Sequence, residues 1–171
     1  MPLPPPEIVE ALTPEQLAVV SELFYEYARA LDWDLTPGGR LITEITSPPG
    51  PYAPPAGALL LAYVDGAAAG VVGLQPVPVD VRVADVRAET AGEIKRLFVR
   101  DAFRRRGVAQ ALMLRAEDEA RRRGYDHLVL TTSERMFPLA QPLYDVLGFG
   151  PTEPYRSDMH FEGLRWLGKE L

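Results

Sequence analysis

The residues best placed to do chemistry in this 171-residue chain fall in one stretch, EIKRLFVRDAFRRRGVAQ, residues 93–110. Leu97, Phe98 and Val99 are consecutive apolar residues without helical spacing, which favours a strand. Arg104, Arg105 and Arg106 follow in a turn, and Gly107 lets the backbone approach a ligand closely where an amphipathic run begins. The start of a helix presents unpaired N–H groups and the positive end of the helix dipole. Together with three guanidinium groups, such a start makes an anion hole suited to a polyphosphate.

Charge sharpens that reading. The net charge of −6 divides into −9 over residues 1–94, +6 over residues 95–123 and −3 over the remainder. A compact basic segment in an acidic protein suits a small anionic ligand better than nucleic acid, which needs a broad basic face. Arg115 and Arg121 to Arg123 lie toward the far end of the helix, where cations complement the dipole without a ligand. The informative cations are therefore Arg104 to Arg106. The Gly-x-x-x-x-Gly-Lys-Ser/Thr loop and the Gly-x-Gly-x-x-Gly turn are both missing, which argues against a nucleotide-phosphate protein. With no cysteine there is no disulfide, thiolate nucleophile or Cys-based metal site, and His127 and His160 are too far apart in the chain to suggest a histidine metal site.

The surrounding elements must hold this turn in place. The length suits one domain over 1–171, with residues 1–10 read as a flexible Pro-rich tail. Thr13-Pro14-Glu15-Gln16 is a capping box, and Leu17, Val20, Phe24, Tyr27 and Leu31 mark the buried face of the helix it opens. Residues 36–58 read as a Pro- and Gly-rich connector with a short helix around Arg40 to Ile45. Ala58 to Val64 and Gly70 to Val77 are strands joined through Asp65-Gly66, hence an antiparallel hairpin. Residues 78–92 alternate Val with polar residues and fit either a further strand or a loop. A strand from Glu93 to Val99 and a helix from Gly107 to Arg123 follow, stopped by Gly124. A strand from His127 to Thr132, a helix ending at Gly148 and a last strand from Gly163 complete the order. Pro142, inside the second of these helices, is expected to favour a kink below Tyr144. No apolar run is long enough to cross a bilayer and no signal-like segment follows the start, so a soluble, cytoplasmic protein without a membrane partner is expected.

Two motifs in this order resemble the GNAT acetyltransferase superfamily. Arg104-Arg105-Arg106-Gly107-Val108-Ala109 resembles its Arg/Gln-x-x-Gly-x-Gly/Ala signature, and Leu143-Tyr144-Asp145-Val146-Leu147-Gly148-Phe149 its Leu-Tyr-x-x-x-Gly-Phe element. The resemblance covers nearly the whole chain. It implies an α/β (α+β) fold, with a mixed, mostly antiparallel central sheet flanked by helices and splayed at the cofactor site. It also implies an acetyl-CoA-dependent N-acetyltransferase, using no metal, that moves acetyl to a primary amine by direct attack in a ternary complex. By the same resemblance, the backbone of Leu97, Phe98 and Val99 pairs with pantetheine. The amides of Arg105, Arg106, Gly107, Val108, Ala109 and Gln110, with the Arg104 side chain, hold the pyrophosphate. A homodimer through the C-terminal strands rests on the resemblance alone.

Acyl transfer to an amine needs a neutral nucleophile, a donor for the carbonyl oxygen and a proton for the departing thiolate. The resemblance assigns these to Glu93 as base, Val99 N–H as donor and Tyr144 as acid. Partial burial would raise the pKa of Glu93 and suit it to that task, while a surface charge beside Lys95 is the plain alternative. The chain has no asparagine, so Thr132, Ser133 or Gln141 would have to replace the asparagine that often contacts the cofactor before the tyrosine. The acidic body favours cationic acceptors such as polyamines, aminoglycosides or peptide amino groups. A non-catalytic acyl-CoA-binding regulatory module is the alternative reading.

Overall fold

The structure, a computed structural model, describes residues 4–77, 90–156 and 158–171. Seven strands form one sheet: β1 (Glu7–Glu10), β2 (Ala58–Val64), β3 (Ala67–Pro76), β4 (Ala91–Val99), β5 (His127–Ser133), β6 (Gly150–Pro151) and β7 (Leu164–Glu170). Their spatial order is β1-β2-β3-β4-β5-β7-β6, and every neighbouring pair is antiparallel except β4 with β5. The helices are α1 (Pro14–Ala30), α2 (Arg40–Thr46), α3 (Val108–Arg122) and α4 (Gln141–Val146).

Local signals account for most of these boundaries. Thr13 accepts from the Gln16 N–H and Gln16 reaches back to the Thr13 N–H, so the capping box forms and Pro14 fits the first turn of α1. Gly124, at φ 86°, follows the end of α3 as expected. The 78–89 part of the ambiguous 78–92 segment lies outside the described residues, while Ala91 and Gly92 begin β4.

Two expectations are corrected. Residues 7–10 are not tail: Glu7–Glu10 pairs along Leu60 to Tyr63 of β2, because an apolar Ile8-Val9 pair finds an open sheet edge. Pro142 does not kink a helix, because α4 begins at Gln141 and leaves the proline in its first turn, where no intrahelical N–H is needed. Bonds from Tyr144 N–H to Ala140 O and from Phe149 N–H to Tyr144 O then fix the tyrosine's backbone.

The sheet has a core on each side. Leu60, Val72, Ile94, Leu112, Leu130 and Tyr144 belong to one, packed with α3 and α4; Val20, Phe24, Tyr52, Leu61 and Val71 belong to the other, packed with α1 and α2. The connection from β4 through α3 to β5 is a βαβ unit, which explains the single parallel pair. That pair is brief. Ala91, Gly92 and Glu93 register with His127, Leu128 and Val129, and beyond them the two strands part. Against β3, the register of β4 slips by one between Lys95 and Phe98, and Arg96 sits at φ 59°, so β4 carries an extra, bulged residue. A bulge bends and twists its strand, which is the physical cause of the splay.

Candidate active site

The parted strands open a cleft of about 220 Å³ whose walls include Ile94, Leu97, Leu130, Thr132, Tyr144 and Lys95. Its backbone edge follows from strand alternation. Arg100 N–H donates to Ala69 O, so Val99, one residue earlier, turns its N–H and C=O away from β3 toward the open edge. Val99 O there accepts from Arg104 Nε at 3.1 Å, and Arg104 Nη2 also pairs with Asp101 at 2.9 Å. One arginine thus ties the arginine-glycine turn to the end of β4. Leu97 lines the cleft, whereas Phe98 points to the other face and lies 5.5 Å from the Tyr27 ring.

Among the described residues, none outside α3 accepts from the backbone N–H groups of Arg105 to Gln110. Gly107 is the residue before α3, at φ 73°, and makes no side-chain cap; its carbonyl already accepts the first helical bond, from Ala111. A side chain in that conformation would be strained, and a hypothetical Cβ would meet no atom within 4 Å, so the space above the turn is open. Arg105 and Arg106 are exposed, with Arg106 lying 5.8 Å from the Phe103 ring centre. Val108 is buried as an anchor, while Ala109 and Gln110 complete the first turn.

Tyr144 lines the cleft with its ring packed edge-on to Phe149. Burial pushes its phenol up to about 12, so it stays protonated through the neutral range. Among the replacements for asparagine, Gln141 is occupied by Asp145 and Arg165, whereas Thr132 lines the cleft. Ser133 Oγ is buried without a hydrogen-bond partner, an orphan group that a polar ligand would satisfy.

Glu93 is placed differently from the partly exposed base the sequence suggests. It is fully buried beneath the cleft, accepting from Gln75 Nε2 at 2.7 Å, Tyr155 OH at 3.1 Å and Arg156 Nη1 at 3.0 Å. Arg156 in turn forks onto Asp158, whose carboxyl it holds down at about 2.

Sequence reasoning missed the other half of the site. Lys95 and Arg96 both line the cleft. The bulge explains how neighbours in a strand share a face, since an inserted residue breaks the two-residue alternation. Arg96 makes a two-pronged ion pair with Glu44 of α2, at 2.9 and 3.1 Å, and stacks 5.1 Å from the Trp33 ring centre. Tyr52 also donates to Glu44, and its ring lies so close to Gly73 that any side chain there would collide with it. Lys95 has no hydrogen-bond or ion-pair partner among the described residues. Burial pushes its pKa down to about 8, opposed by Glu93 and reinforced by Arg96 and Arg156. The described cleft walls hold these two cations and no carboxylate, so the acidic residues that suggested cationic acceptors do not line the cleft. The signal was the KR pair itself, two adjacent cations next to the apolar run Leu97 to Val99 and two residues after Glu93.

Comparisons with known proteins identify the family and the fold. The family model described as the acetyltransferase (GNAT) family matches residues 14–149. An uncharacterized N-acetyltransferase of Schizosaccharomyces pombe is 30% identical over 143 residues, covering 83% of this chain and 81% of that protein. A GNAT-family acetyltransferase structure from Staphylococcus aureus Mu50 superposes with a TM-score of 0.72 at 16% identity, covering 96% of this chain and 98% of that one. The yncA structure from Salmonella typhimurium, solved with its cofactor acetyl-CoA, gives a TM-score of 0.67 at 16% identity, covering 98% and 94%.

Proposed function

The chain belongs to the GNAT acetyltransferase family and is an acetyl-CoA-dependent acyltransferase, and from that premise we propose that it acetylates a primary amine by direct attack in a ternary complex. The observation that carries this reading is the splay of β4 from β5 beside the uncapped start of α3. The first offers unpaired strand edges for an amide-bearing arm; the second offers free amides for a diphosphate. Bound acetyl-CoA would supply an acetyl thioester. The amides of Arg105 to Gln110, with Arg104 to Arg106, would hold its pyrophosphate, and Leu97 to Val99 would hold its pantetheine. Thr132 and Ser133 would take the place of the missing asparagine.

In this proposal the residues of the chain divide the chemistry. Val99 N–H, turned to the open edge, stabilises the oxygen that becomes negative on attack. As the acceptor nitrogen bonds to the acetyl carbon and the carbon–sulfur bond breaks, Tyr144 gives its phenolic proton to the leaving sulfur. The proton shed by the nitrogen restores the phenol, so the net transfer is one proton from nitrogen to sulfur. Glu93 is a positioning residue that holds Arg156 and faces Lys95 with negative charge. We also propose a cytoplasmic location, since the reaction draws on acetyl-CoA; among the described residues no helix is long and apolar enough to cross a membrane.

Calorimetric titration with acetyl-CoA tests the cofactor half directly. Saturable binding is expected, weakened about ten- to hundredfold in the Arg104→Ala/Arg106→Ala variant through loss of charge-assisted contacts. A wild-type protein that does not bind acetyl-CoA would overturn the assignment. Binding with no amine-dependent thiol release across a broad amine panel would favour a regulatory acyl-CoA-binding module.

A further inference from the structure

Among the cations of the buried charge cluster, Lys95 stands apart. Arg96 is taken by Glu44, and Arg156 by Glu93 and Asp158. Both buried carboxylates are likewise committed, Glu44 to Arg96 and Tyr52, Glu93 to Arg156, Gln75 and Tyr155. An ammonium group removed from water without a partner costs free energy, and a fold that keeps one in a ligand-sized cleft leaves it a vacancy for an anion. The phosphate turn at Arg104 to Gln110 lies at the other end of β4, so the cofactor's phosphates have their own site.

The remaining walls on the α1 side are apolar and aromatic. Tyr27 and Trp33 meet edge-on at 5.1 Å, Phe137 lies 6.2 Å from Tyr27, and Met159 and Phe161 face the same space. Thr131 and Thr132 add hydroxyls on the opposite strand. The cleft, of about 220 Å³, lies near the small end of the roughly 300–1,000 Å³ typical of ligand pockets and accommodates a small acceptor group.

Resting on the acetyltransferase reading above, we propose that the acceptor is a small amine that also carries a carboxylate and an apolar or aromatic group, an apolar α-amino acid being the simplest such compound. Its carboxylate pairs with Lys95 beside Arg96, and its side chain packs among Tyr27, Trp33 and Phe137. Lys95 is then the residue that selects acids over neutral or cationic amines.

The test compares L-phenylalanine and L-leucine with their carboxamides and with phenethylamine and isoamylamine, following thiol release at saturating acetyl-CoA. The acids are expected to exceed the amides and decarboxylated amines at least tenfold in kcat/KM. In Lys95→Met that preference should fall to within about threefold, through KM, while Lys95→Arg restores it and the acetyl-CoA dissociation constant stays unchanged in both. Equal use of acid and amide by the wild type overturns the proposal, as does a preference that survives Lys95→Met. If none of these amines reacts, calorimetry of the acetyl-CoA complex with 3-phenylpropionate and 3-phenylpropanamide decides the matter: selective binding of the carboxylate supports the site, and its absence overturns it. Failure of the acetyltransferase reading is distinguishable, because it appears as loss of acetyl-CoA binding itself.

Discussion

The two ends of β4 are built on opposite principles. At its C-terminal end the arginine-glycine turn is contiguous in sequence, exposed and made mostly of backbone: an uncapped helix start, a left-handed glycine and three arginines in a row. Toward its N-terminal end, buried Glu93 and half-buried Lys95 and Arg96 lie in one cluster with Glu44, Gln75, Tyr155 and Arg156, gathered from α2, β3 and the segment after β6. The exposed end can lose a side chain with little effect on folding, because solvent compensates the remaining charges. The buried end is costly to disturb wherever a charge is balanced by a named neighbour, as Glu93 is by Arg156 and Arg96 by Glu44. In the proposed function the cofactor is recognised by backbone geometry, while acceptor recognition falls to side chains that only this tertiary packing brings together.

The largest expected effect lies at the buried end. Glu93→Gln leaves Arg156 with half its ion pairing inside the protein and should destabilise the fold by roughly 3–5 kcal/mol in urea unfolding. A loss within experimental error would break the contrast between the two ends. Next comes Tyr144→Phe, which should lower kcat by about 10²-fold with little change in acetyl-CoA affinity or stability, since only the hydroxyl is removed from a packed ring. An unchanged kcat would remove Tyr144 from the proton path.

The smallest effect concerns Lys95 and sharpens the comparison, because it predicts a gain. With a folded pKa near 8 against 10.5 when exposed, Lys95 binds fewer protons in the folded than in the unfolded chain between these values. Wild-type stability should therefore rise with pH across that window on account of this group. Lys95→Met abolishes the burial cost, so it should be more stable than wild type at pH 7 by on the order of 2 kcal/mol, allowing for partial exposure of the ammonium. That advantage should shrink as pH rises from about 8 to 10.5. Thermal unfolding of both proteins across this range measures it; a wild type more stable than the variant at pH 7 would show that Lys95 is paired in the folded protein.

Much of this molecule is written locally. The capping box at Thr13, the Asp65-Gly66 hairpin, the glycine stop at Gly124 and the arginine-glycine turn before α3 each act within a few residues, so spacing alone locates them. Edge pairing of Glu7–Glu10 was not legible, because a short apolar pair after prolines becomes a strand only when β2 offers it an edge. Pro142 misled for a related reason: whether a proline kinks a helix or starts one depends on where the helix begins.

The sequence by itself determined the order of elements, the arginine-glycine turn before α3 and the place of Tyr144, since these follow from short-range hydrogen bonding and residue preference. Only the tertiary structure decided that Glu93 is sealed under the cleft with Arg156, and that a bulge turns Lys95 and Arg96 to one face and leaves Lys95 without a partner. Those outcomes depend on which distant side chains meet in a space largely shielded from water. There the cost of an unpaired charge is set by geometry, and local sequence carries no record of it.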